Sequence, residues 1–355
     1  MTRARDPRGE IRIAERTMPR GERTHVAAPV LTDLDGSEVA LHIHAVVGAA
    51  PGPVLALLAA QHGSEWLSAE IVRRIVDTLD PKAMAGAVLA VPVANPVALA
   101  TLTRNVRDES DSPDLNRAFG TEQAWIADQL ALAVTTHVLS HADAVVDFHC
   151  GLWGAAMGSV TCGRDYKDPT VSERAFQMAR AFGLPHIRRS DFATRFPGPR
   201  SAVGYAGQVL GIPGIASEVG GAGFDPELEE AWLQTNVRGV HGVLQYLGIL
   251  PGQPPVPDRV MIFERVQRIN PTRGGMLEPV FPPEDLMRRE VPAGALLGRV
   301  WSPYTFEVLE ELRAPFRGLV DMVGRHYPVR PGDWAYLMVD LDHPGTRWLG
   351  ANEMP

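Results

Sequence analysis

Ionisable side chains follow several apolar, strand-like segments of the sequence. His62 and Glu65 come directly after "VLALLAA". Asp147 and His149 end the segment "ADAVVDFH", and Glu218 ends "IPGIASE". In open α/β sheets, ligands bind beyond the carboxyl ends of the strands. Two imidazoles and one carboxylate suit zinc, and a catalytic zinc keeps a fourth position for water. We therefore predict that His62, Glu65 and His149 bind one zinc ion per chain.

The two remaining carboxylates are predicted to support this site. Asp147 lies two residues before His149, so on an extended strand both side chains point to the same face of the sheet. Asp147 can then accept a hydrogen bond from the ring N–H of His149 that does not face the metal. Glu218 comes from a different strand. We expect it to act as general acid/base, taking a proton from a zinc-activated water and handing it to the leaving group.

An arginine-rich loop lies between these segments, in "NPVALATLTRNVRDESDSPDLNRAFG". Guanidinium groups bind carboxylates through two parallel hydrogen bonds, and they also polarise a carbonyl and stabilise its oxyanion. Arg104, Arg107 and Arg117 are candidates for both roles.

A thiol hydrolase that uses Cys150 is a competing interpretation of the same region. Adjacent residues of a strand point to opposite faces, so Cys150 and His149 are poorly placed to act as a nucleophile–base pair. The sequence contains no G-x-S-x-G motif, which disfavours a serine α/β-hydrolase.

Strand-like and helix-like segments alternate through the central part of the chain. This alternation predicts an α/β fold with a mixed, largely parallel sheet flanked by helices. We expect an Arg-rich, flexible N-terminal segment (1–25), a catalytic domain (26–250), a proline-rich linker (251–258) and a small all-β C-terminal domain (259–355). The last of these rests on short β-like runs separated by Gly and Pro.

The composition limits the class of protein. Of the 355 residues, 45% are hydrophobic and 21% are charged, as expected for a soluble globular protein. A net charge of −8 argues against a nucleic-acid surface. Two cysteines, Cys150 and Cys162, cannot form a disulfide framework, and the Arg-rich start lacks the apolar stretch of a signal peptide. No apolar window reaches the roughly 18 residues of a membrane helix. We expect a cytoplasmic protein without membrane partners, and a homodimer on base rates.

Five motifs, in order, resemble the succinylglutamate desuccinylase/aspartoacylase family, which is related to the zinc carboxypeptidases. They are "AAQHGSEW", "ANPVALATLTR", "DLNRAFG", "VVDFHCG" and "ASEVGG". The resemblance covers about residues 40–250, and the β-rich tail resembles the small C-terminal domain of those deacylases. An isolated H-x-x-E is a weak signal, whereas the ordered set of five is a specific one.

The resemblance implies a role for each matching residue. His62, Glu65 and His149 would bind zinc, and Glu218 would be the general acid/base. Asn116 and Arg117 of "DLNR" would hold a substrate carboxylate or a similar polar group. Two arginines of the loop, Arg104 and Arg107, remain as candidates for polarising the substrate carbonyl.

Arg104, nine residues after Asn95, has the spacing of the arginine that polarises the carbonyl, and Arg107 is the alternative. The implied substrate is a small N-acylated amino acid or a related amide that carries a carboxylate. Cys150 stands where relatives often have a small polar residue, a departure that affects the substrate more than the chemistry. A carboxypeptidase-type peptide hydrolase, an esterase, and a metal-retaining binding module without turnover remain alternatives.

Overall fold

The computed structural model describes residues 10–106, 113–122, 124–151, 154–192, 198–325 and 327–355. Its strands are β1 (Arg12–Ile13), β2 (Arg16–Thr17), β3 (Glu22–Thr32), β4 (Glu38–Val47), β5 (Ala50–Ala59), β6 (Ala85–Val91), β7 (Ala144–Phe148), β8 (Ala155–Met157), β9 (Val160–Arg164), β10 (His186–Asp191), β11 (Gly214–Ser217), β12 (Arg259–Phe263), β13 (Val266–Ile269), β14 (Gly275–Pro279), β15 (Glu290–Val291), β16 (Leu296–Trp301), β17 (Val308–Arg313), β18 (Gly318–Gly324), β19 (Tyr327–Val329), β20 (Tyr336–Asp340) and β21 (Arg347–Gly350).

The helices of the described residues are α1 (Leu67–Thr78), α2 (Pro96–Thr101), α3 (Ile126–Val134), α4 (Pro169–Ala181), α5 (Ala202–Gln208) and α6 (Pro226–Tyr246). A π-helical turn, Thr135–Leu139, continues α3, and a 3-10 turn, Gly63–Glu65, precedes α1. Helix α1 turns Leu67, Ile71 and Ile75 towards the core, as its helical spacing of apolar residues predicts. No helix within these described segments is both long enough and apolar enough to cross a membrane.

The described residues form a ten-stranded central sheet in the order β21-β12-β10-β9-β11-β7-β5-β6-β4-β3. Strands β6, β5, β7 and β11 are mutually parallel, whereas β9 runs antiparallel to β11. Every residue of β7 and the last six of β5 are buried, because helices cover both faces of the sheet. Hydrophobic clusters fill the space on either side. The predicted mixed α/β fold is confirmed.

The C-terminal part of the chain forms two small antiparallel sheets among the described residues. One has the order β13-β20-β18-β15, with β8 added to β18, and the other has the order β17-β16-β14-β19. Strand β8 belongs to the central part of the chain, so this pairing attaches the first small sheet beside the large one. Strands β12 and β21 join the edge of the ten-stranded sheet. The predicted β-rich C-terminal region is confirmed, and the division of the chain into domains at residues 25, 250 and 258 stays a prediction.

Candidate metal centre

Three neighbouring parallel strands bring the predicted site residues to one edge of the sheet. Leu58 of β5 pairs with Asp147 of β7, and Asp147 pairs with Ala216 of β11. Because these strands are in register, the residues that follow them also lie side by side. The backbone N–H of His149 donates to the carbonyl of Ser217 over 2.8 Å, which continues the ladder beyond the strand ends.

A tight turn brings His62 and Glu65 together. His62 is extended, and the 3-10 turn that follows it lets the Glu65 side chain face back towards the His62 ring. A Cβ atom on Gly63 would overlap the carbonyl oxygen of Ala98 in α2, so only glycine fits at this point of the turn. Ser68 fixes the turn, since its hydroxyl donates to the Glu65 carbonyl over 2.6 Å.

The side chains of His62, Glu65 and His149 meet in one buried group. Their candidate ligand atoms all lie within 4.8 Å of one another. The two carboxylate oxygens of Glu65 are shared between the rings: Oε1 is 2.8 Å from His62 Nδ1, and Oε2 is 2.8 Å from His149 Nδ1. This is the only such group of three or more among the residues that the structure describes.

Carboxylates also face the outer nitrogen of each ring. His62 Nε2 is 3.0 Å from Asp114 Oδ1, and His149 Nε2 is 3.1 Å from Asp147 Oδ2. A ring nitrogen that faces a carboxylate needs a proton or a metal cation between the two atoms. When each Nε2–H donates a hydrogen bond to its outer carboxylate, the Nδ1 atom of each ring carries a lone pair that points at Glu65. This arrangement fits a metal cation between the two Nδ1 atoms and the Glu65 carboxylate.

The charges in this group shift several pKa values. Burial raises the pKa of Glu65, but the two imidazoles outweigh burial and hold this pKa well below its usual range. Burial opposes protonation of His149, yet the carboxylates of Asp147 and Glu65 raise its pKa well above the ordinary value. The carboxylates thus concentrate negative charge around the rings, which favours binding of a cation.

The side chains of His62, Glu65 and His149 line a pocket, and Glu218 lies on the wall of that pocket. Glu218 makes no hydrogen bond or ion pair with these three side chains. Its backbone N–H donates to the Ser159 carbonyl over 3.0 Å, which fixes the residue at the end of β11. Burial raises the pKa of Glu218; His149 lowers it, and the nearby Glu65 raises it further. A carboxyl group with a raised pKa suits proton transfer near neutral pH.

Arg104 lies at the rim of the metal centre, with its side chain 37% exposed. Its guanidinium group donates to Glu65 Oε1 over 3.2 Å and to Asp114 Oδ2 over 3.0 Å. The position at the rim leaves the guanidinium within reach of a ligand in the pocket. Arg107 lies outside the described residues.

Asn116 and Arg117 line the same pocket. Asn116 Oδ1 accepts a hydrogen bond from the backbone N–H of Ala202 at the start of α5, over 2.9 Å. Its Nδ2 atom is 3.1 Å from His149 Nε2. Burial lowers the pKa of Arg117, and Asp114 counters that effect. Both residues therefore lie next to the candidate metal centre, and their role in binding a substrate group stays a prediction.

Asp114, the first residue of "DLNR", was not among the predicted site residues. It accepts hydrogen bonds from His62, Arg104 and the backbone N–H of Asn116. Burial raises the pKa of Asp114, but the hydrogen bond from His62 and the charge of His62 outweigh it and hold this pKa well below its usual range. The "DLNR" motif could have indicated Asp114 from the sequence. Asp114 caps the 3-10 turn that positions Asn116 and Arg117.

Asp114→Asn is expected to weaken metal binding by about 10- to 100-fold, because the amide carries no charge to orient the His62 ring. The affinity can be measured by competition with a chromophoric chelator. Asp77→Asn, on the exposed face of α1, is the matched control and should leave the affinity unchanged. Equal affinity of Asp114→Asn and the wild type would remove Asp114 from the metal centre.

The fold and this site define an α/β protein with a candidate metal centre at the carboxyl edge of its sheet. Residues 51–247 match the succinylglutamate desuccinylase/aspartoacylase catalytic domain, and the chain belongs to this family. Its members are deacylases. The family that the five motifs suggested is thereby confirmed.

Several solved structures share this fold. A succinylglutamate desuccinylase/aspartoacylase from Rhodobacter sphaeroides has a TM-score of 0.74 at 23% identity, over 90% of this chain and 96% of that chain. The product-bound ectoine utilization protein EutE (DoeB) from Ruegeria pomeroyi has a TM-score of 0.75 at 21% identity, over 91% of this chain and 96% of that chain. A succinylglutamate desuccinylase from Silicibacter sp. TM1040 is similar, with a TM-score of 0.74 at 22% identity, over 90% and 94% of the two chains. No curated protein matches the sequence.

Proposed function

We propose that the protein is a zinc-dependent amidohydrolase that removes the acyl group from a small N-acylated amino acid or related amide. The observation that carries this proposal is the convergence of His62, Glu65 and His149 in one buried group. Membership of a deacylase family agrees with it. Glu218 and Arg104 line the same pocket and supply the remaining chemistry.

His62, Glu65 and His149 would hold the ion, with Asp114 and Asp147 orienting the two rings. Zinc is preferred because two imidazoles and one carboxylate are a ligand set of catalytic zinc sites. When bound, the ion supplies a Lewis acid that lowers the pKa of water and polarises a carbonyl oxygen. The group is buried, so bulk water does not screen the charges there.

Glu218 would act as the general acid/base. Its raised pKa makes it able to accept a proton from the attacking water and to return it to the departing amine. The reaction then balances: the amide C–N bond breaks, a C–O bond forms, and the proton that Glu218 takes from water leaves on the amine. Arg104 would stabilise the negative charge that develops on the carbonyl oxygen, because its guanidinium lies at the rim of the metal centre.

Asn116 and Arg117 would bind a carboxylate of the substrate. An amide N–H group and a guanidinium group suit that anion, and both side chains face the pocket next to His149. Selection of small substrates would follow from the C-terminal region, since Val266, Met322, Trp334 and Leu337 close one side of the pocket.

A thiol hydrolase is a poorer account of the same pocket. Cys150 is buried, and burial together with the nearby Glu65 and Glu218 raises the pKa of its thiol well above the ordinary value. The thiol therefore stays protonated at neutral pH, and the thiolate is the nucleophile that such enzymes require.

Release of free amine from N-acyl amino acids tests the proposal. The zinc-loaded protein is expected to hydrolyse N-acetyl or N-succinyl amino acids. Its kcat/KM for matched peptides and carboxylate esters should be lower than for these N-acyl amino acids. Amine release can be followed with an amine-reactive fluorophore. Faster hydrolysis of peptides with a free C-terminus would favour a carboxypeptidase, and faster hydrolysis of esters would favour an esterase. No turnover of any of them by protein with a full complement of zinc would contradict the proposal.

A further inference from the structure

Three histidines lie together on β3 and β4, at the edge of the ten-stranded sheet opposite β21. His25 of β3 pairs with His44 of β4, and His42 lies two residues before His44. Paired residues, and residues two apart on one strand, point to the same face of a sheet. All three imidazole rings therefore project from one face of this edge.

This histidine cluster (His25, His42 and His44) faces water and not the core. His25 and His42 are exposed, and His44 is half-buried. Val26 and Ile43, whose side chains point to the opposite face of the sheet, are buried in a hydrophobic cluster. Packing of the apolar core therefore does not account for three imidazoles at this place.

The rings of the histidine cluster are close to one another. His25 Nε2 is 2.9 Å from His42 Nδ1. The rings of His25 and His42 are stacked with their centroids 5.1 Å apart, and the centroids of His25 and His44 are 4.9 Å apart. Two ring nitrogens at hydrogen-bond distance share one proton, so one of the rings directs a lone pair at the other. A metal cation can take the place of such a proton.

The separation of the His25 and His42 nitrogens is close to that of two ligands of one metal ion. Bonds of about 2.0–2.1 Å at tetrahedral angles place two imidazole nitrogens roughly 3.3 Å apart. A small rotation of the two exposed rings covers the difference. The third nitrogen is farther away, because the nitrogens of this cluster do not all lie within 4.8 Å of one another, as the ligand atoms of the candidate metal centre do. The His44 ring has to turn to complete the site, and side chains at a surface change rotamer within nanoseconds.

The charges around the cluster favour neutral rings at neutral pH. Burial lowers the pKa of His44, the charges of His25 and His42 lower it further, and Asp77 of α1 raises it. Three protonated rings would repel one another, whereas three neutral rings offer lone pairs to one cation. Imidazole ligands suit zinc, nickel and copper.

We propose that His25, His42 and His44 form a second cation site, for a divalent ion that prefers imidazole ligands. This site is separate from the candidate metal centre, because β3 lies four strands from β7, or about 19 Å across the sheet. Its ligands are neutral and face water, so it binds an ion more weakly than a buried group that includes a carboxylate. The inference does not depend on the proposed hydrolase activity.

Calorimetric titration with nickel chloride tests this second site. The full-length protein is first loaded with zinc and dialysed against metal-free buffer, so that the buried group keeps its ion and the exposed histidines lose theirs. Nickel is the probe because imidazole is a good ligand for it. The wild type is expected to bind one nickel ion per chain in addition to the zinc. Nickel should also raise the thermal midpoint of unfolding, since it binds the folded state.

Three single variants and a control locate the nickel ion. His25→Ala and His42→Ala each remove an exposed ligand, and His44→Phe keeps a ring at the half-buried position. Each is expected to lower the nickel affinity about tenfold or more, because each removes one of three ligands. A cooperative thermal transition without nickel shows that each variant is folded. His343→Ala, in the turn before β21 at the opposite edge of the sheet, should keep the wild-type nickel affinity.

Wild-type nickel affinity in any one of the three cluster variants would overturn the site, because nickel would then bind without that histidine. Absence of nickel binding to the wild type would overturn it as well, and so would an equal loss of affinity in His343→Ala. Nickel that replaces zinc in the buried group would release zinc into solution and would be insensitive to the cluster variants, which would also contradict the proposal.

Discussion

Glu218→Gln is expected to lower kcat by about 10²- to 10⁴-fold while metal binding is unchanged. Glutamine keeps the size of the side chain and some of its hydrogen bonds, but it cannot take up and release a proton. Metal binding should persist because Glu218 makes no hydrogen bond or ion pair with His62, Glu65 or His149. The rate is measured with the best N-acyl amino acid, and the metal content of the same preparation by elemental analysis.

The matched control for this variant is Glu227→Gln, an exposed residue in the first turn of α6. It should keep the wild-type kcat and metal content. Wild-type turnover in Glu218→Gln would remove this residue from the mechanism. Loss of both turnover and metal would instead assign Glu218 to the metal ligands.

Removal of the metal with a strong chelator is expected to abolish turnover, and one equivalent of zinc should restore it. The same treatment should lower the thermal midpoint of unfolding, because a ligand that binds only the folded state stabilises that state. Without a cation, Glu65, Asp114 and Asp147 are three carboxylates gathered around two imidazoles in a buried site.

Two histidine variants make the metal-removal experiment specific. His149→Ala should not recover activity with zinc, because it removes one of the three proposed ligands. His241→Ala, on α6 and hydrogen-bonded to Thr78, should recover as the wild type does. Full activity of the chelated protein would contradict a metal-dependent mechanism, and recovery of His149→Ala would exclude that histidine as a ligand.

The sequence was sufficient to predict the fold class and to single out the residues that converge in the candidate metal centre, because the relevant signals are local. Strands β5 and β7 are buried on both faces, so they appear as short apolar runs, and the polar residues after them stand out. The spacing of His62 and Glu65 fits one short turn. Asp147 and His149 are two residues apart, and the structure places them 3.1 Å apart.

Other features depend on contacts between distant parts of the chain and could not be predicted from spacing. Asp114 contacts His62 across 52 residues of sequence. Arg188 of β10 lines the same pocket as Asp147 of β7 only because β9 and β10 follow β11 in the sheet, and β9 runs antiparallel to β11. Arg268 enters the pocket from a separate sheet. Strand order and direction are set by tertiary packing, whereas hydrophobic periodicity reports only the local element.

The most direct test of the central claim is the metal content of the purified full-length protein, measured by elemental analysis beside His62→Ala. We predict about one zinc per chain in the wild type. His62→Ala should lose the zinc, because His62 is one of the three proposed ligands, while His241→Ala should retain it. Absence of zinc from the wild type, with none taken up on incubation with zinc, would contradict the assignment of His62, Glu65 and His149 as a zinc site.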